Sequence, residues 1–223
     1  MNNIAILSIH RGDRPRFLHN LNRMIEKQTL QPSCVHFVDY PPNDDLCDIS
    51  KRYRKGYEYL SSLPNIELII IMEVDDYYSP NYIETVYNQW LLNNKPDIIG
   101  QSYTIYYNIR VFSYFIFNHL ERSSMMNTAI KSRLKINWPV DTEPYTDTHL
   151  WKTQKHLSKV IFKPETITCI GIKHGVGMTG GSFHTTKLHR FKPELKGYED
   201  LDKSFIKKHM DEESFKFYSE YFN

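Results

Sequence analysis

The sequence predicts an α/β fold, an open doubly wound first half followed by a mixed second half, from three observations. Short apolar, β-branched runs alternate with amphipathic stretches as far as residue 107, in the order β-α-β-α-β-α-β. Residues 66–82 open on a run of apolar residues with no polar alternation, as expected of a central parallel strand buried on both faces. That run stops at Glu73, Asp75 and Asp76, and open α/β sheets bind ligands beyond the carboxyl ends of their strands.

Residues 4–9 predict the first strand, ended by the polar turn His10-Arg11-Gly12-Asp13-Arg14-Pro15. Helical spacing over 15–28 puts Phe17, Leu18, Leu21, Met24 and Ile25 on one face. Residues 35–38 predict a second strand, closed by Asp39 and a Pro/Asn/Asp loop. A helix over 48–63 would bury Ile49, Tyr53, Tyr57 and Leu60 and carry Lys51, Arg52, Arg54 and Lys55 on its other side, either as a solvated face or as contacts to a diphosphate. After the opening strand, Pro80 suits the first turn of a helix over 81–93. Strands are expected at 97–107 and, paired back on it, 110–117; a short helix at 128–134; a helix from Thr146 to about His156; strands at 160–162 and 166–172; and two short helices within 202–222, the second starting near Asp211.

The totals set bounds. With 223 residues, 40% hydrophobic and 24% charged, the chain can bury a sizeable core. One domain over 1–223 is expected, with halves of about 1–107 and 108–190 and a helical tail at 191–223. A net charge of +2 neither demands nor excludes a polyanionic partner. The 16 tyrosines against 3 tryptophans suit surfaces that stack on sugars or bases, and also suit strands. Three cysteines, Cys34, Cys47 and Cys169, with no CxxC spacing, argue against a disulfide scaffold or zinc ribbon. The N-terminus lacks a basic, then apolar leader, and no stretch approaches the ~18 apolar residues of a membrane span. The expected location is the cytosol, or a host's cytosol.

Adjacent carboxylates repel, so gathering Glu73, Asp75 and Asp76 makes sense if they share a cation; the plainer alternative is a solvated turn with an Asp capping the next helix. Residues 173–184 hold four of the nine glycines, flanked by His174 and His184. No Walker A loop or GxGxxG pattern is present. Glycine this dense suits a loop that closes over a ligand, or a flexible connector.

Taken together, these stretches resemble the GT-A-fold glycosyltransferases of family 2. Four places carry the likeness: Ile4-Ala5-Ile6-Leu7-Ser8 with Arg14-Pro15, Leu18 and Gln28; Val35-His36-Phe37-Val38-Asp39, where the usual second Asp is Tyr40; Glu73-Val74-Asp75-Asp76-Tyr77-Tyr78-Ser79-Pro80-Asn81-Tyr82, which resembles the DxD region and its continuation; and Tyr145-Thr146-Asp147-Thr148-His149-Leu150-Trp151, which resembles the segment bearing the base, with Thr in place of the usual Glu. The QxxRW motif of processive members is absent. The likeness spans roughly residues 4–175.

The resemblance implies a metal-dependent transferase using a nucleotide diphospho-sugar, a UDP-sugar first, with Mn2+ or Mg2+ neutralising the leaving diphosphate. Asp76 would ligate the metal, Asp75 would meet the ribose or the metal's waters, and Glu73 would support the metal shell or cap the strand. His174, then His184, would be a further ligand. Asp39 with His10 and Arg11 would hold the nucleoside, and Arg52 or Lys55 the phosphates. Asp147 would be the general base, with inversion at the anomeric carbon; Asp141 and Glu143, near it in sequence, would be back-up bases, and Asp141 would also face the acceptor. Trp138 would be an acceptor platform or a core residue. The acceptor would be a glycan or a 5-hydroxymethylpyrimidine in DNA, since Trp138-Pro139, Thr146-Asp147, Leu150-Trp151, Ile172-Lys173-His174-Gly175, Gly180-Gly181 and His184 are similar in arrangement to phage-type enzymes. Two other classes fit the same acids: a metal-dependent nucleotidyl or phosphoryl transferase, and a non-catalytic nucleotide- or glycan-binding module.

Overall fold

The computed structural model describes residues 3–12, 14–41, 47–175 and 197–222. Among these, strands β1 (Ile4–Ile9), β2 (Cys34–Val38), β3 (Leu68–Ile71), β5 (Ile98–Gln101), β8 (Thr128–Lys131) and β9 (Lys159–Phe162) form a six-stranded sheet in the order β2-β1-β3-β8-β5-β9. All its pairings are parallel except those of β8, which runs antiparallel to both neighbours. Strands β4 (Tyr77–Tyr78), β6 (Tyr103–Asn108), β7 (Ser113–Asn118), β10 (Cys169–Lys173) and β11 (Tyr198–Glu199) form a second, mixed sheet in the order β11-β7-β6-β10-β4.

The central strand is buried on both faces, as its composition predicts. Ile4, Ile6, Leu68 and Ile70 join one core with α1 (Pro15–Glu26) and α3 (Tyr82–Leu92). Their neighbours Ala5, Leu7, Ile69 and Ile71 join another with α2 (Ile49–Ser62) and α4 (Thr146–Thr153). The period-2 alternation of a strand thus feeds two helical layers at once. Two short C-terminal helices, α5 (Ser204–His209) and α6 (Glu212–Ser219), return to α1. There Arg23 bonds Asp211 (3.2 Å), Glu213 (2.8 Å) and Ser214. Asp211 is the N-cap of α6, accepting from the Ser214 N–H.

Three expectations are corrected. Residues 128–131 form a strand in place of a short helix. Ala129 and Ile130 have no exposed surface between β3 and β5, and tertiary pairing overrides so short a local signal. The run over 97–107 is two strands, because the chain crosses between sheets at Ser102, whose N–H donates to Phe162 O (2.8 Å). Helix α4 takes Tyr145 as its N-cap position, while Thr146 is buried inside the first turn with its hydroxyl 2.5 Å from Ser50 Oγ at the start of α2. Among the described residues no helix is long and apolar enough to cross a membrane.

Helix α2 lies close on β1 because residue 56 is glycine. A Cβ there would fall 2.3 Å from Leu7 Cδ1 and 2.9 Å from Val38 Cγ2, and Leu7 is fully buried. Alanine gains about 1 kcal/mol of helix propensity, but overpacking a rigid core costs about 1–3 kcal/mol. Gly56→Ala is therefore expected to lower the urea midpoint at unchanged m-value, and a raised midpoint would contradict the packing.

Candidate active site

The carboxyl ends of β1, β2 and β3 lie side by side and carry the predicted residues to one edge. After β1 the chain turns at Gly12 (φ +80°), a left-handed conformation suited to glycine. The backbone N–H groups of Gly12 and Arg14 face His10 Nδ1 (3.1 Å) and Nε2 (3.2 Å), and whichever nitrogen is unprotonated accepts. His10 is thus buried as the former of its own turn. Asp39, exposed at the end of β2, has its carbonyl oxygen 3.7 Å from where a Gly12 Cβ would stand, so this turn and Asp39 are neighbours, as expected.

Arg52 is placed otherwise than expected. Its guanidinium is 1% exposed. It donates to Asp48 Oδ2 (2.9 and 2.7 Å) and to the carbonyls of His10 (2.8 Å), Val38 (3.3 Å) and Tyr40 (2.8 Å). A planar fork bonded on every side ties the ends of β1 and β2 together and is not free for a phosphate. Lys55 lies over the Tyr40 ring (5.1 Å). Arg54 is paired with Asp141 (2.9 Å), which sets Asp141 against α2. Trp138 is half-buried, its ring 5.6 Å from that of Tyr57, and so serves packing on at least one face.

Beyond β3, Glu73, Asp75 and Asp76 offer oxygens all within 4.8 Å of one another. Each acid is held differently. Glu73 Oε1 accepts from Tyr53 Oη (2.6 Å), while its N–H donates to Tyr78 Oη (2.6 Å). Burial and the Asp75 charge raise its pKa against that help. Asp75 Oδ2 takes both Arg14 Nη1 (2.5 Å) and His174 Nε2 (3.0 Å). Burial works to raise its pKa, but the His174 hydrogen bond and the charges of Arg14 and Lys173 outweigh it and hold Asp75 far below the usual carboxylate range. Asp76 is 2% exposed. Its Oδ1 accepts from the Ile172 N–H (2.8 Å), and its Oδ2 is buried with no hydrogen-bond partner. Burial, then Asp75 and Glu73, push its pKa well above the ordinary value.

Strand β10 brings the far partners in. It pairs antiparallel with β4, Ile170 against Tyr77, so Ile172 and His174 run past Asp76 and Asp75. His174 packs its ring on Phe17 (4.5 Å) and stands behind Asp75, outside the carboxylate group. His184 lies outside the described residues. An orphaned carboxylate oxygen among three acids is the donor set of a hard divalent cation, and these residues fit one.

Asp147 sits in the first turn of α4. Its Oδ1 accepts from the Thr148 N–H (2.7 Å) and its Oδ2 is paired with Arg122. Tyr106 on β6 links the two halves: burial and the charges of Asp147, Glu73 and Asp76 together raise its hydroxyl pKa. Asp147 and the acid cluster therefore both lie within electrostatic reach of the Tyr106 hydroxyl. Sequence reading did not single out Tyr53, Tyr106, Arg122 or Lys173 as site residues. Tyr53 reads as one of the core positions of α2, Lys173 stands within the Ile172-Lys173-His174-Gly175 element without a role of its own, and the spacing of Tyr106 and Arg122 carries no signal.

A scan against protein-family models finds no match, and no curated protein matches the sequence. Solved structures do. S. aureus TarS 1–349 in complex with UDP matches with a TM-score of 0.52 at 10% identity, over 77% of this chain and 60% of that one. Another S. aureus TarS structure gives 0.51 at 10% identity, over 77% and 37%. A glycosyltransferase involved in the glycosylation of the major capsid of PBCV-1 gives 0.45 at 12% identity, over 76% and 93%. The chain spans less than two thirds of either TarS structure. At this identity the TarS likeness shows the fold, the GT-A-like α/β architecture that the sequence resemblance implied.

The Asp76 carboxylate has a stability consequence. In the unfolded chain it ionises near its ordinary value of about 3.9. In the fold it ionises only at much higher pH, so the folded state loses about 1.4 kcal/mol per pH unit between the two values. Asp75, displaced downward, loses its contribution only below that window. Asp76→Asn removes the penalty and keeps an acceptor for the Ile172 N–H. It is expected to raise the melting temperature of the EDTA-treated protein at about pH 7 and to flatten its pH dependence above about pH 5. An unchanged or lower melting temperature under those conditions would refute the reading.

Proposed function

We propose that this protein transfers a sugar from a nucleotide diphospho-sugar, a UDP-sugar, to an acceptor hydroxyl, with inversion at the anomeric carbon. The observation that carries the reading is the buried, unpartnered Asp76 Oδ2 within a trio of carboxylates at the end of the central strand. The fold supports it, since the S. aureus TarS structure that resembles this chain is a complex with UDP.

Asp76, Asp75 and Glu73 would hold Mn2+ or Mg2+, and such an ion supplies Lewis-acid neutralisation of diphosphate charge. His174 and Arg14 orient Asp75 and keep it anionic, as partners behind a ligand do. Arg11 and Asp39, at the ends of β1 and β2, take the nucleoside. Asp147 accepts the proton of the acceptor hydroxyl. The oxygen's electron pair forms the new bond to the anomeric carbon, and the bond from that carbon to the diphosphate oxygen breaks with its pair left on the diphosphate. Arg122 fixes the direction of the Asp147 carboxylate.

We take a glycan as the acceptor. Of the two basic stretches that could track a DNA backbone, the one at 51–55 has Arg52 buried and Arg54 paired with Asp141, and Lys187, Lys192 and Lys196 lie outside the described residues. A two-metal phosphoryl transferase would need acids of a second strand among the ligands; the one metal-competent group among the described residues draws all its acids from the turn after β3.

Calorimetry of UDP binding in Mn2+ and then in EDTA tests the donor site. Affinity is expected to fall at least tenfold without metal, and equal affinity would sink the reading. For the base, Asp147→Asn is expected to cut turnover by about 10²–10⁴ while leaving UDP affinity in Mn2+ within about twofold. Full turnover in that variant would move the base elsewhere. Assaying transfer against glycans and against hydroxymethylated DNA separates the acceptors.

A further inference from the structure

Lys173 is placed unlike the other cations around the site. It follows Ile172, whose N–H holds Asp76, and precedes His174, whose ring holds Asp75. It shares a face of β10 with Gly171, two residues back. That face is covered by Tyr106: a Cβ on Gly171 would fall 2.6 Å from Tyr106 Cδ1 and 2.8 Å from Cε1. The Lys173 ammonium caps the same ring, 4.6 Å from its centroid. Tyr106 in turn lies within electrostatic reach of Asp147, Glu73 and Asp76. The lysine therefore rests on a ring whose hydroxyl is influenced by both the proposed base and the carboxylate trio.

Its charge reaches Glu73, Asp75 and Asp76, yet it closes an ion pair with none of them among the described residues. By contrast Arg14 is bonded to Asp75 and Arg122 to Asp147. Gathering three acids would be served best by a lysine in direct contact with one. An ammonium held back on an aromatic face keeps its donors for something else, and an unpartnered ammonium beside a cation-binding trio suits an anion that also touches the cation.

We propose that Lys173 is a donor-binding residue that contacts the diphosphate of the nucleotide sugar and meets the negative charge left on it as the anomeric carbon–oxygen bond breaks. This rests on the glycosyl-transfer reading and adds a residue to it. The bond's electron pair goes to the diphosphate oxygen, and the charge that develops there faces the Lys173 ammonium. A point charge on a flexible stem suits a group whose charge grows during the reaction.

The alternative is a counter-ion role, in which Lys173 only moderates repulsion among the acids. The two differ in whether UDP affinity depends on the ammonium once the metal site is saturated. Three measurements on Lys173→Gln separate them: Mn2+ affinity by electron paramagnetic resonance, and affinities for UDP and for uridine in saturating Mn2+ by calorimetry. A diphosphate contact predicts that UDP affinity falls roughly tenfold to a hundredfold, that uridine affinity is unchanged, and that Mn2+ affinity is unchanged or tighter, since a nearby cation has been removed. Lys173→Arg should recover part of the UDP affinity. Equal UDP affinity in Lys173→Gln and wild type overturns the proposal and leaves the glycosyl-transfer reading standing. Parallel losses of UDP and uridine overturn it as well, because they indicate a general disturbance of the site. A wild-type protein that ignores UDP in Mn2+ overturns both.

Discussion

Three carboxylates at the end of a fully buried strand repel one another, and the way the fold relieves that repulsion organises what surrounds it. Glu73 is relieved by the Tyr53 hydroxyl from α2, and Asp75 by Arg14 just before α1 and His174 just after β10. Asp76 receives one backbone N–H and is left with a buried bare oxygen. Relief therefore comes from elements far apart in sequence that converge only when both sheets have formed. An unpaired buried acceptor costs about 1–3 kcal/mol, an expense a protein does not keep at its centre without a use for it.

The C-terminal helices belong to the same arrangement. Tyr218 donates to the Asp75 carbonyl (3.3 Å), and Tyr218, Tyr221 and Phe217 pack on Phe17, which also meets the His174 ring. Arg16, Arg23 and Lys27 on α1 pair with Glu220, Asp211 and Glu213 of the returning segment. The outermost of these pairs are exposed and contribute little by themselves. The aromatic layer does more: it keeps water from the His174 side of Asp75, so that the Asp75 hydrogen bonds act at low dielectric, where they are strong.

Much of the site's position was legible in the sequence because one rule, that ligands bind at the carboxyl ends of strands, acts on a pattern that can be read along the chain. The β-α alternation and the acids after Ile71 follow from that pattern alone. What stayed hidden depends on pairing between distant segments. Residues 128–131 are too few for periodicity to separate helix from strand, and their insertion between β3 and β5 decides the matter. The break at Ser102 lies in the short polar stretch Gly100-Gln101-Ser102 between two strand-like runs, with no proline or turn pair to mark that the chain changes sheets there. Asp147 could be picked out by resemblance, but the Ser50–Thr146 contact that docks its helix α4 on α2 is a pair of ordinary hydroxyls with no signature in sequence.

The same limit governs the basic residues, and it explains why charge alone misled at Arg52. A cation written in a sequence carries no record of its partner. Arg52 looked like the exposed face of a helix, and its fixed fork is instead the shape that matches one carboxylate and three strand-end carbonyls at once. Arg14 and Arg122 are likewise committed to a single acid each in described contacts. Lys173 is a compact charge on a long stem, resting on an aromatic ring and bonded to none of the three acids it influences. Among the described residues, guanidinium groups build the frame that holds Asp75 and Asp147, and the Lys173 ammonium rests on an aromatic ring without closing an ion pair with the acids.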